Sequence, residues 1–173
     1  VDVMCQITDA LPVEVRGMGV RLSDELVPDM YNYGALQVLF ADGSVGWYEA
    51  AWGPMVSDTA FFVKDVMSPN GSVSIVMEPG AKSDELEVHT RTDQIKVHRA
   101  ALAPDGSFAI PDEYISMAGE PGHDALCARE QDYVYRAITE DIDLTRHMSD
   151  AVQSLRVSLA ADESIRTGLP VRL

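Results

Sequence analysis

The sequence predicts an α+β fold: an open, mostly antiparallel β-sheet with helices packed on one face. Three observations carry this. Strand-like segments cluster between residues 13 and 102, turn glycines divide them at hairpin spacing, and the last third repeats apolar residues at helical spacing. Grouped strands with helices toward the ends give an antiparallel layer, not a βαβ repeat.

Residues 1–11 place Val3, Ile7, Ala10 and Leu11 on one helical face, and Pro12 ends the segment. Residues 13–22 alternate loosely through Val13, Val15, Met18, Val20 and Leu22, a strand with a glycine interruption. An acidic, turn-rich loop fills 23–34. Leu36, Val38 and Phe40 then alternate with Gln37 and Leu39, Asp42-Gly43 makes a tight turn, and Val45 to Trp52 returns as the second arm. Two more hairpins are expected: Phe61 to Met67 with Val73 to Met77 around Asn70-Gly71, and Leu86 to Arg91 with Ile95 to Leu102. Together they read as a meander. Six glycines and prolines within 104–122 rule out a long element there. Leu126, Tyr133, Val134, Ala137 and Ile138 share one helical face. Met148, Ala151, Val152, Leu155 and Leu159 share another, on a helix that starts near Thr145 or Ser149 and stops at Gly168, with Pro170 following.

The length of 173 residues favours a single domain, 1–173, able to bury roughly 70% of its unfolded surface without a metal or disulfide staple. Thirteen basic against 28 acidic residues give a net charge of −15, which repels nucleic-acid phosphate and an anionic membrane surface alike. No apolar run is long enough to span a bilayer, and the first residues have no basic n-region. Cys5 and Cys127 belong to no CxxC pair and read as small core residues in a reducing, cytoplasmic setting. The start reads as a helix entered partway, so a longer parent chain is expected. A sheet this wide also leaves a second face, carrying residues such as Leu39, Trp47, Phe61 and Val63. A second subunit is its expected cover, making a homodimer or homotetramer.

Gly17-Met18-Gly19 lacks the third glycine and the helix opening of a dinucleotide fingerprint. With a turn at Asp93-Gln94, His89 and His98 would face each other near Glu87, Arg91 and Lys96. Two imidazoles and one carboxylate suit zinc, yet two cations crowd that face, so a solvated charged sheet is favoured and no metal is expected. His123 stands where the glycine- and proline-rich loop meets a helix, with Asp124 as N-cap. It suits either a general acid/base or sugar-hydroxyl partner, or a plain surface histidine. Trp52, at a strand end before Gly53-Pro54, suits a site wall.

The closing stretch from Asp150 to Leu173 resembles the last helix and strand of the glucose–fructose oxidoreductase / inositol dehydrogenase / MocA family. Gly34 to Trp47 and Met67 to Val73 resemble its strand–turn–strand element and the glycine turn that follows. The resemblance covers essentially all 173 residues, with 79–122 matching least. It implies the glyceraldehyde-3-phosphate-dehydrogenase-like C-terminal domain of a two-domain oxidoreductase, its N-terminal Rossmann domain absent from the chain. The parent would move hydride between NAD or NADP and a sugar, polyol or sugar derivative. This chain would supply pocket walls and the oligomer contact, bind no cofactor and be inactive alone. Asp2 matches the aspartate of the family's H-x-x-D motif, whose histidine would fall three positions earlier, outside the chain. The resemblance implies substrate contacts at Trp52, Ser57 and Asp58. His123 joins them as a substrate-binding candidate from its own context. The alternative is a stand-alone interaction or scaffold domain of the same fold without chemistry.

Overall fold

The computed structural model describes residues 1–24, 26–51, 53, 64–76 and 92–173. The chain divides into two compact units, one made of Val1–Val56 with Glu140–Leu173 and the other of Ser57–Thr139.

In the first unit, strands β1 (Pro12–Val20), β2 (Tyr33–Phe40), β3 (Val45–Ala51) and β8 (Val171–Arg172) form an antiparallel sheet ordered β3-β2-β1-β8. The β2–β3 hairpin forms where expected. Asp42 accepts hydrogen bonds from the Ser44 N–H (3.0 Å) and hydroxyl (2.6 Å), and Gly43 takes φ 87°. The pairing Val15↔Val38, Gly17↔Leu36 and Val38↔Gly46 puts these residues on one face. Arg16, Met18, Gln37, Leu39 and Trp47 then fall on the other.

Helices α1 (Asp2–Thr8) and α3 (Thr145–Thr167) cover the first face. They seat closely because glycine lies beneath them. A Cβ on Gly17 would overlap the Ala161 carbonyl oxygen, and one on Gly46 would stand 2.6 Å from Met4 Sδ. β8 pairs with β1 only at Glu14 and Val15, so the Gly17 N–H extends beyond that rung. It donates instead to Ser164 Oγ at 3.0 Å, in a buried position. The core is Cys5, Val15, Val38, Phe40, Val157, Ala160 and Ala161.

This close seating corrects the helix faces marked by the apolar spacing. Only small residues and Val157 fit between α3 and the strand backbone, so Met148, Val152, Leu155 and Leu159 point outward. Val3 and Ile7 on α1 and Leu11 beyond it do the same. α1 also stops earlier than Pro12 would dictate. Asp9 turns left-handed at φ 53° and its N–H returns to the Cys5 carbonyl.

In the second unit, β4 (Asp65–Ser68), β5 (Gly71–Val76), β6 (Gln94–Arg99) and β7 (Glu113–Ser116) form a separate antiparallel sheet, ordered β4-β5-β6-β7. Among the described residues the expected single meander is therefore two four-stranded sheets, since the first is completed by the chain's last strand and not by a further hairpin. β4 and β5 make the expected turn at Asn70-Gly71, while Phe61 and Val63 lie outside the described residues. β6 is flanked by β5 and β7, and the cross-strand partner of His98 is Ser72; the arm expected at 86–91 lies outside the described residues. β7 arises inside the breaker-rich stretch and is four residues long.

Helix α2 (His123–Thr139) starts one residue early, so Asp124 sits in its first turn and is not its cap. Its one buried residue is Ala137, while Tyr133, Val134 and Ile138 are exposed. Among the described residues no helix is long and apolar enough to cross a membrane.

Candidate functional site

Trp52, Ser57 and Asp58 lie outside the described residues, as do Glu87 and His89. Asp2 and His123 are described, and they belong to different units. Asp2 opens α1, where it accepts a hydrogen bond from Gln6 Nε2 at 2.9 Å. His123 opens α2, its Nε2 3.5 Å from Cys127 Sγ one turn later. Cys127 is half-buried, so only Cys5 is the core thiol expected of both.

In the first unit a cleft of about 450 Å³ lies between the end of α1 and the start of α3. Cys5, Asp9, Asp143, Arg146, Ser149 and Asp150 line it. Arg146 bridges the cleft, 2.8 Å from Asp9 and 3.9 Å from Asp150. Asp143 accepts the Thr145 N–H at 2.9 Å, and bonds from Thr145 hold its carboxyl below the ordinary range. Burial pushes the Cys5 thiol up, and the charges of Asp150 and Asp2 push further. The cleft thus offers a protonated thiol, carboxylate acceptors and one guanidinium, a set that suits hydroxyl groups better than an anion.

The second unit holds a tighter polar cluster. Asp112 reaches His98 Nδ1 with one carboxylate oxygen at 2.7 Å and Lys96 Nζ with the other at 2.9 Å. The Phe108 ring meets the imidazole edge-on, with centroids 4.5 Å apart. Alternation along β6 puts Lys96 and His98 on one face, with Tyr114 opposite Lys96 and Ser72 opposite His98. The loop carrying Asp112 is pinned by an Asx turn at Asp105–Ser107 and by the Leu102↔Phe108 bridge. Hydrogen bonds from Lys96 and His98 hold the Asp112 carboxyl below its ordinary value, and the bond to Asp112 holds the Lys96 ammonium above its own. A carboxylate-oriented imidazole beside a lysine and a phenol can bind a hydroxylated ligand and move a proton. The lysine and histidine were legible as a K-x-H alternation on one strand. Asp112 was not, because it comes from an irregular loop fourteen residues away.

No protein-family model matches the chain, and no curated protein sequence matches it. Solved structures do. An aldose–aldose oxidoreductase from Caulobacter crescentus, complexed with glycerol, matches with a TM-score of 0.68 at 19% identity, over 99% of this chain and 44% of that one. An oxidoreductase from Agrobacterium radiobacter, in complex with NAD+, L-tartaric acid and magnesium, matches with a TM-score of 0.61 at 15% identity, over 99% and 46%. A UDP-N-acetylglucosamine 3-dehydrogenase from Acidithiobacillus ferrooxidans matches with a TM-score of 0.59 at 16% identity, over 95% and 44%. The chain therefore spans less than half the length of the structures it matches. At these identities the likeness is one of fold. It is the α+β fold, with open antiparallel sheets and helices, of the glyceraldehyde-3-phosphate-dehydrogenase-like C-terminal domain of oxidoreductases.

Proposed function

We propose that the chain is the C-terminal domain of an NAD(P)-dependent oxidoreductase of the glucose–fructose oxidoreductase / inositol dehydrogenase / MocA type. The parent acts on a sugar, polyol or sugar derivative in the cytoplasm. The observation that carries this reading is the fold match over 99% of this chain to 44% of an aldose–aldose oxidoreductase.

The one feature of this chain that resembles part of a dinucleotide fingerprint does not fit the cofactor. The one GxG, at Gly17 and Gly19, is filled by the Ala161 carbonyl and the Ile165 side chain, so these glycines seat a helix and leave no room for a pyrophosphate. The cradle belongs to the domain that precedes this one in the parent, and the hydride chemistry with it. What this chain contributes is enclosure and position. Asp2, in the first turn of α1, is the motif partner of a histidine that would stand three positions earlier in the parent. Trp52, Ser57, Asp58 and His123 supply pocket wall and hydroxyl partners. The helix-free face of the first sheet, with Met18, Leu39 and Trp47, joins copies into a dimer or tetramer.

The test compares the full-length parent with the 173-residue chain for reduction of NAD or NADP against a panel of aldoses and inositols. Turnover by the parent and none by the shorter chain is the expected result. A parent with no dinucleotide domain upstream, or with no turnover of any polyol, would leave the non-catalytic interaction domain as the better reading.

A further inference from the structure

Three turns of the chain carry an aspartate or asparagine directly before a glycine: Asp42-Gly43, Asn70-Gly71 and Asp105-Gly106. In two of them the side chain is held. Asp42 accepts the Ser44 hydroxyl at 2.6 Å and N–H at 3.0 Å, and Asp105 accepts those of Ser107 at 2.7 and 3.0 Å. The chain's other asparagine, Asn32, is buried, accepts the Leu22 N–H at 2.8 Å and precedes a tyrosine. Asn70 differs from all three. It is exposed at the tip of the β4–β5 hairpin, and among the described residues its side-chain amide has no hydrogen-bond partner. The glycine after it is fixed by the fold. Gly71 takes φ 142°, and a Cβ there would overlap the His98 carbonyl oxygen. The sheet therefore requires, at this position, the residue whose backbone nitrogen is least screened from the side chain before it.

We propose that Asn70 is a self-modifying site, where attack by the Gly71 backbone nitrogen leaves an isoaspartyl link that loosens a corner of the second sheet. The step is internal and needs only water. The Gly71 nitrogen gives its proton to solvent hydroxide and bonds to Asn70 Cγ. The bond from Cγ to the amide nitrogen breaks, and ammonia leaves with a proton from water. Water then opens the succinimide ring. Addition at Cγ gives aspartate. Addition at the backbone carbonyl carbon gives isoaspartate, in which the main chain runs through the side chain and is one methylene longer. Either product adds one negative charge to a chain already at −15. The longer link falls at a joint between strands. The Asn70 carbonyl accepts the Ala100 N–H at 3.0 Å, Gly71 pairs with Arg99, and Ser72 pairs with His98 on the next rung. An added methylene frays β5 from β6 at this end, on the strand that carries Lys96 and His98.

The test ages the chain at neutral pH, folded and in urea. It follows the tryptic peptide 65–82 by mass spectrometry, with electron-transfer fragmentation to separate aspartate from isoaspartate. Folded Asn70 should convert within about tenfold of its unfolded rate, because a hairpin tip opens at little cost, and isoaspartate should be among the products. Asn70→Gln, whose attack would close a larger ring, should stay unchanged. In the aged chain the Ala100 N–H should exchange with deuterium at least about threefold faster than in the fresh chain. Fresh Asn70→Asp, which has the charge without the methylene, should exchange like the fresh chain. Conversion more than about tenfold slower when folded, or aspartate as the sole product, overturns the site. Unchanged Ala100 exchange in the isoaspartyl chain, or fast exchange in fresh Asn70→Asp, overturns the loosening by the link. None of these results bears on the oxidoreductase reading.

Discussion

Asp112 ties a lysine and a histidine of one strand to a loop that has no regular structure of its own. The two shifted groups give this tie a defined pH signature. The Asp112 carboxyl is held below its ordinary value of 3.8, so its contribution is complete above that value and is lost as the pH falls through the lower folded one. The Lys96 ammonium is held above its ordinary 10.5, so its contribution is complete below 10.5 and is lost as the pH rises through the higher folded one. Asp112→Asn should therefore flatten the stability profile at both ends at once, as urea midpoints measured across pH would show. Coincident profiles for the variant and the unmodified chain would mean that the cluster contributes nothing. The sequence hid this site because proximity here comes from sheet register and a pinned loop, neither of which a spacing of residue types encodes.

The seat of α3 on β1 explains why strands were easier to read than helix faces. Alternation located β1, β2 and β3 to within about three residues, because a half-buried strand must alternate. A helix with two apolar sides offers no such constraint, and the larger residues lie on the outward side. The signal that could have oriented α3 is Gly17 and Gly19 on the strand paired with Ala160, Ala161 and Ser164 on the helix, small against small. Gly17→Ala tests that seat directly. The added methyl meets a backbone carbonyl that cannot swing aside, so a loss of about 3 kcal/mol, the upper end of overpacking costs, is expected in chemical denaturation. A loss under about 0.5 kcal/mol would show that the helix rides higher than described. The C-terminal end of the same helix was fully legible: Gly168 takes φ 71° and stops it where the sequence said it would.

The division into two units was not legible, because nothing in a run of hairpins says which strands share a sheet. The pairing of first and last strands, Glu14 with Arg172 and Val15 with Val171, is decided only when residues more than 150 apart meet. An outer face open to a second subunit was expected of the sheet, and on the first sheet's outer face Trp47 is 49% exposed, with Met18 and Leu39 exposed on the same side. If it joins copies of this chain, Trp47→Glu should shift the protein to monomer in sedimentation at micromolar concentration. Association of the unmodified chain should also strengthen with added salt, which screens the repulsion between copies of net charge −15. A clean monomer at every salt concentration would remove that role from the face.

The hydrogen bond from Gly17 to Ser164 joins positions 147 residues apart, and it has a consequence during translation. β1, β2 and β3 leave the ribosome about a hundred residues ahead of the helix that shields their apolar side. At 5–20 residues per second that delay is roughly 5–20 s. During that interval the nascent hairpins have to be held in solution by a chaperone or remain loosely collapsed, and a ribosome that stalls before residue 157 would release a chain with three of the seven core residues, Val157, Ala160 and Ala161, still unmade.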